Sequence, residues 1–268
     1  MSNFSDFIGG GGGSASFPTF FLHKSVTWVP PQDGNIMIHV IGAGGSGASS
    51  NSTVQSGAAG GYCRKNSLAV TTSGSFTVTI GAGGASRIGS AGAGTAGGTT
   101  SVAGTGLGST LTATGGAGGL QQSSGYSTGG VGSNGDLNTT GGRGGHKLGG
   151  GAVGLSGTGN DGAFISDEIL NYGGNCDIVG DFYSSSFGQL SGSLGGRGSY
   201  ITAQSSGEGN FNAGPLGGAA SMYGGGSYAF SSGNASVGGG GGFCRTTSST
   251  QNFSGRGGEG CVVIQYIP

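Results

Sequence analysis

Apolar residues along this chain come in short bursts separated by glycine-rich stretches, and the bursts have the periodicity of strands. Phe76-Thr77-Val78-Thr79-Ile80 alternates cleanly and predicts a half-buried strand with Phe76, Val78 and Ile80 on its inner face. Ile36–Ile41 is almost continuously apolar, the pattern of a strand covered on both faces. Phe17–His23 and Val26–Val29 are short aromatic and β-branched segments ending at Pro30-Pro31, and Asp33-Gly34 reads as a turn. Thr99–Ala103 and Ser109–Thr114 are weaker strands rich in Thr and Ser, and Val262–Ile267 closes the chain as another apolar strand. From Gly115 to Gly260 neither helical nor alternating periodicity occurs. There, glycine blocks such as Gly115–Gly119, Gly141–Gly145, Gly195–Gly198 and Gly238–Gly242 alternate with loops rich in Ser, Asn and aromatic residues.

Composition changes this picture, because 71 of the 268 residues are glycine. Fixing a backbone costs about 1–2 kcal/mol per residue, and a glycine gives no side chain to offset it. Dense hydrogen bonding between glycine segments supplies the compensation, since without a Cβ extended chains can approach until their N–H and C=O groups meet. A polyproline-II-like rod rises about 3.1 Å per residue, so many such rods side by side would form a bundle with the intervening loops gathered at its ends. The expected fold is therefore mainly β and irregular with essentially no α-helix: a small β-sheet or sandwich joined to a bundle of polyglycine-II helices. Residues 1–16 form a leader or attachment peptide. The β region occupies 17–114 plus a closing strand at 261–267, and the bundle with its loops occupies 115–260. Two internal echoes fit a built scaffold: Val40–Gly45 matches Thr79–Gly84, and Gly60–Arg64 matches Gly241–Arg245.

Charge and motifs exclude several functions. Charged residues make up only 7% and the formal net charge is −1, so no basic field exists to hold nucleic acid. No apolar run reaches the roughly 18–20 residues of a membrane span, and residues 1–8 lack the basic and apolar regions of a signal peptide. Cys63, Cys176, Cys244 and Cys261 are scattered without a Cys-x-x-Cys pair, which argues for buried thiols rather than a zinc site. Gly42-Ala43-Gly44-Gly45-Ser46-Gly47 has the form of a dinucleotide fingerprint, but no helix-forming sequence follows and no acid stands about 20 residues on. Arg143, Arg197 and Arg256 sit among glycines too far apart to bind RNA, and are better placed to bond carbonyls left unpaired at rod ends. Asp161, Asp167, Glu168, Asp177 and Asp181 are half of the 10 acids, yet their spacing fits neither a glycosidase pair nor a calcium loop. No catalytic residues, metal or cofactor are expected, and the protein is not expected to be an enzyme.

Aromatic residues are interleaved with these acids and recur in later loops, beside Ser, Gly and Asn as in antibody loops. Each has two open fates, a plug capping the rods or an exposed anchor for a partner. The candidate anchors are Phe164, Tyr172, Phe182, Tyr183, Phe187, Tyr200, Phe211, Tyr223 and Tyr228.

Four motifs together carry a family resemblance: Trp28-Val29-Pro30, Ile38–Gly45, Val78–Gly84 and Gly260–Tyr266. From about Phe17 to Pro268 the chain resembles the glycine-rich, polyglycine-II domain of tailed-bacteriophage tail-fibre proteins and tip adhesins. The resemblance implies a virion protein of the tail or fibre, assembled in the host cytoplasm, whose distal loops bind a host surface protein or glycan. It also implies contacts with other phage tail proteins and leaves a homotrimer open. Two alternatives stand beside it: a purely structural virion component, such as a fibre joint or decoration protein, and a polyglycine-II ice-binding protein. The ice-binding reading wants a flat, regular face, against which the irregular aromatic loops argue.

Overall fold

The computed structural model describes residues 17–50, 55–87, 91–121, 125–145, 161, 222–223, 230–231, 238–241, 244–245 and 252–268. Its regular elements are strands throughout, and no α-helix occurs among the described residues. In chain order the first eight are β1 (Thr19–Leu22), β2 (Val26–Trp28), β3 (Gly34–Ile41), β4 (Ser49–Ser50), β5 (Tyr62–Val70), β6 (Phe76–Thr79), β7 (Thr100–Gly104) and β8 (Leu111–Ala113). Then come β9 (Gly132–Ser133), β10 (Leu137–Thr139), β11 (Met222–Tyr223), β12 (Phe230–Ser231), β13 (Cys244–Arg245), β14 (Asn252–Phe253) and β15 (Cys261–Ile267).

Two five-stranded antiparallel sheets, ordered β1-β15-β3-β5-β10 and β2-β6-β7-β8-β9, face one another. Alternation explains the core between them. Ile36, Ile38, Val40, Val262, Ile264 and Tyr266 from the first sheet meet Trp28, Phe76, Val78, Val102 and Leu111 from the second. Phe20 bridges the edge, its ring 5.6 Å from Trp28 and 6.4 Å from Tyr266. The expected strands at Ile36–Ile41 and Phe76–Ile80 are present. β3 is covered on both faces, because His39 and Ile41 on its other face are buried too. Periodicity missed β9 and β10, which fall within the stretch 115–260 expected to be bundle and loops, and it missed the nine-residue β5. Its middle, Arg64-Lys65-Asn66-Ser67, is polar, the register against β3 slips between Ile36 and Ile38, and Lys65 is held by an ion pair of 2.8 Å to Asp136.

Beyond the sheets the chain continues as extended glycine-rich segments bonded to one another with a period of three. The N–H groups of Gly42, Gly45 and Ala48 donate to Gly61, Ala58 and Gln55, while those of Ala43, Ser46 and Ser49 donate to Gly98, Thr95 and Gly92. Gly44 and Gly47 donate to Gly258 and Gly255. Each third residue therefore turns to the same neighbour, and the segment 42–48 donates to three neighbours around it. Three others donate back to it: Gly84 to the Gly44 carbonyl, Gly116 and Gly119 to Ala43 and Ser46, and Gly241 to Gly45. Residues 55–61 repeat the pattern toward 114–120, 142–145 and 238–241. Segments of this kind lie on both sides of Thr114, and glycine is what lets them meet: a Cβ on Gly44 would overlap the Gly239 carbonyl, and one on Gly45 the Ala117 carbonyl.

Candidate functional site

Strand direction decides where the loops are. β3 runs into 42–48 and β6 into 81–84, whereas 55–61 runs into β5 and 92–98 into β7. Each pair is an outward path from the sheets followed by a return, so the reversal between them lies at the end remote from the sandwich. The same holds for 114–120 after β8 and 127–130 before β9. Neighbours at that remote end confirm the grouping. Gln121 Nε2 donates to the Ser49 carbonyl at 3.1 Å, Ser56 N–H donates to the Gly145 carbonyl at 2.9 Å, and Arg87 N–H donates to Ser254 Oγ at 2.9 Å. β13 runs outward, parallel to β4, and β11 runs parallel to β13. β14 leads back toward the sheets, with β12 parallel to it. The strands bracketing residues 224–229 thus run one out and one back.

A polar cluster sits at this end, on the segment 141–145. Asp161 accepts from the Arg143 backbone N–H at 2.8 Å and from its Nε at 2.9 Å, and Nη2 also donates to the same carboxylate. The guanidinium lies 4.5 Å from the centre of the Tyr126 ring, in cation–π geometry. Burial pushes the Asp161 carboxyl up, but the Arg143 hydrogen bonds and charge outweigh it and hold the group below its ordinary range. The Arg143 side chain is about half exposed, so this pair adds little stability, and its use is to fix where Asp161 stands. Among the described residues Arg87 Nε donates to the Ala93 carbonyl at 2.9 Å, and Arg256 pairs with Glu259 at 2.7 Å. Arg197 lies outside the described residues.

Of the candidate anchors, Phe164, Tyr172, Phe182, Tyr183, Phe187, Tyr200, Phe211 and Tyr228 lie outside the described residues, and Tyr223 is described only by its backbone in β11. The leader 1–16 is outside them as well. Tyr126, by sequence another loop aromatic with the same two open fates, and Arg143, expected to bond rod-end carbonyls, are described at the loop-bearing end, where they meet each other and Asp161.

Other reactive groups are placed away from this end. His39 and Tyr62 pair at 2.7 Å where the sheets meet the bundle, and burial, then the Arg64 charge, lowers the histidine pKa to about 3. Cys63 and Cys261 are free and buried, with burial raising their thiols to about 11 and about 12. The Cys176 and Cys244 side chains fall outside the described residues. The fingerprint-like Gly42–Gly47 is the segment with six neighbours, and all of its N–H groups are bonded to carbonyls, so none is left to cradle a phosphate.

A family model for a glycine-rich domain matches residues 19–267. No curated protein matches the chain.

Proposed function

The chain belongs to the glycine-rich domain family, and from that premise we propose that it is a tail-fibre or tail-tip adhesin of a bacteriophage, presenting loops that bind a receptor on the host cell surface. The observation that carries the reading is the single-ended arrangement of the reversals after Ser50, Arg87 and Gln121. Loops on a rigid support are where recognition is commonly built, and here the support leads several of them to one end. The aromatic, Ser- and Asn-rich sequences between the described segments supply the residue types that such contacts use.

We further read the supporting segments as polyglycine-II rods. Three residues per turn brings every third N–H to the same side, which accounts for the bonding period of 42–48 and 55–61. Backbone dihedrals near −75° and +145° along these segments, measured by solid-state NMR, are the expected result. Values of the flat-sheet region would refute it.

Receptor binding is tested at Phe182 and Tyr183, chosen for their place in the acidic, aromatic stretch. Aromatic hot spots contribute about 2 kcal/mol or more, so the double alanine variant should bind host cells about thirtyfold more weakly at an unchanged melting temperature. Unaltered binding rejects this pair as anchors, and a collapsed fold makes them plugs. A purely structural virion role predicts that the purified unmodified protein does not bind host cells at all.

A further inference from the structure

The segment Ser254–Ile267 is central to both halves of the fold and lies later in the sequence than every element it touches. Its strand part, β15, separates β1 from β3 and pairs with β3 from Cys261↔Ile41 to Ile267↔Asn35. Cys261, Val262, Val263, Ile264 and Tyr266 are all buried, and the Tyr266 hydroxyl donates to the Gln32 carbonyl at 2.7 Å. Its glycine part lies among three others. Gly258 and Gly255 accept from Gly44 and Gly47, Gly257 and Gly260 donate to Gly84 and Gly81, and Gly258 donates to Gly239.

We propose that Ser254–Ile267 is a closing segment, threaded last between elements already laid down, so that sandwich and bundle become native together and only after it arrives. Its partners at 19–22, 35–41, 44–47 and 81–84 precede it in the chain; 19–22 pairs with no other strand, and 44–47 meets 81–84 directly through one bond, from Gly84 to the Gly44 carbonyl. Closing contacts across more than two hundred residues is slow, because the entropy of the loop must be lost before the contacts form. Until then β1 has no neighbour in its sheet, and 42–48 lacks one of its six. Loop display is thereby tied to synthesis through Ile267.

Pulsed hydrogen exchange during refolding of the full chain, read by mass spectrometry, tests this. The amides of Ile36–Ala48 should gain protection in the same kinetic phase as those of Gly255–Tyr266. Protection of Ile36–Ala48 in an earlier phase, or of Gly255–Tyr266 before it, overturns the proposal. Two full-length variants sharpen the result. A Cβ at Gly257 would overlap the Gly44 carbonyl, whereas one at Gly108 meets nothing within 4 Å. Gly257→Ala should delay protection of Ile36–Ala48, and Gly108→Ala should leave it at the wild-type rate. If Gly257→Ala slows only its own segment, Ile36–Ala48 closes independently and the proposal fails.

Discussion

Replacing Gly44 by alanine isolates what glycine does in the bundle. Its backbone is outside the left-handed region, so alanine is conformationally acceptable and the whole penalty is one of space. The added methyl would overlap the Gly239 carbonyl, whose own bond from Gly258 is 2.9 Å long. Relief requires 42–48 to move away from 238–241. That strains three bonds at once: Gly44 to Gly258, Gly241 to Gly45, and Gly258 to Gly239, at 2.8, 2.8 and 2.9 Å. At a net 0.5–1.5 kcal/mol for each bond the loss is about 1.5–4.5 kcal/mol. Alanine returns about 0.4–1 kcal/mol by restricting the unfolded chain, leaving a net destabilisation of about 0.5–4 kcal/mol. For a domain of this size that is a fall in melting temperature of roughly 1–16 °C. Thermal unfolding followed by circular dichroism should find Gly44→Ala in that range and Gly108→Ala at or slightly above the wild type. Equal melting of Gly44→Ala and wild type would mean that the segments are not packed at hydrogen-bonding distance, and the account of the bundle would be wrong.

Acid should destabilise the protein through His39. The unfolded chain takes up its proton near pH 6.5 while the folded one refuses it down to about 3, so stability is complete above 6.5 and falls as pH drops through that window. The limiting slope is about 1.4 kcal/mol per pH unit. Urea midpoints at pH 7 and 5 should converge in His39→Gln; a slope identical to wild type would deny the histidine this role. Cys63 and Cys261, buried and with raised pKa values, should resist a thiol reagent at pH 8 and react once urea unfolds the chain. Site-resolved mass spectrometry reads this, and rapid labelling of either thiol in the native protein would contradict their burial.

Much of the sandwich was legible in the sequence because strand patterning is local. Phe76-Thr77-Val78-Thr79 states its inner face in four residues, and Ile36–Ile41 states burial on both sides; neither depends on knowing a partner. β5 was hidden for the opposite reason. Arg64 becomes a strand residue between His39 of β3 and Leu137 of β10, Lys65 pairs with Ile38 of β3, and Asp136 receives both Lys65 and the Asn66 N–H. The anchor candidates rest on residue type alone, and the cluster of Tyr126, Arg143 and Asp161 could not be read because Arg143 and Asp161 are separated by a stretch with no pattern of its own.

What the sequence by itself determined is the kind of material: strands at the apolar bursts, and segments elsewhere that must be held by their backbones because glycine brings nothing else. Which segment lies beside which was decided only in three dimensions. A glycine block carries no side chain to mark its partner, so Gly42–Gly47 looks like any other block until its N–H groups are traced to Gly61, Gly98 and Gly258. The direction of the flanking strands chose those partners, and it also sent the reversals after Ser50, Arg87 and Gln121 to one end.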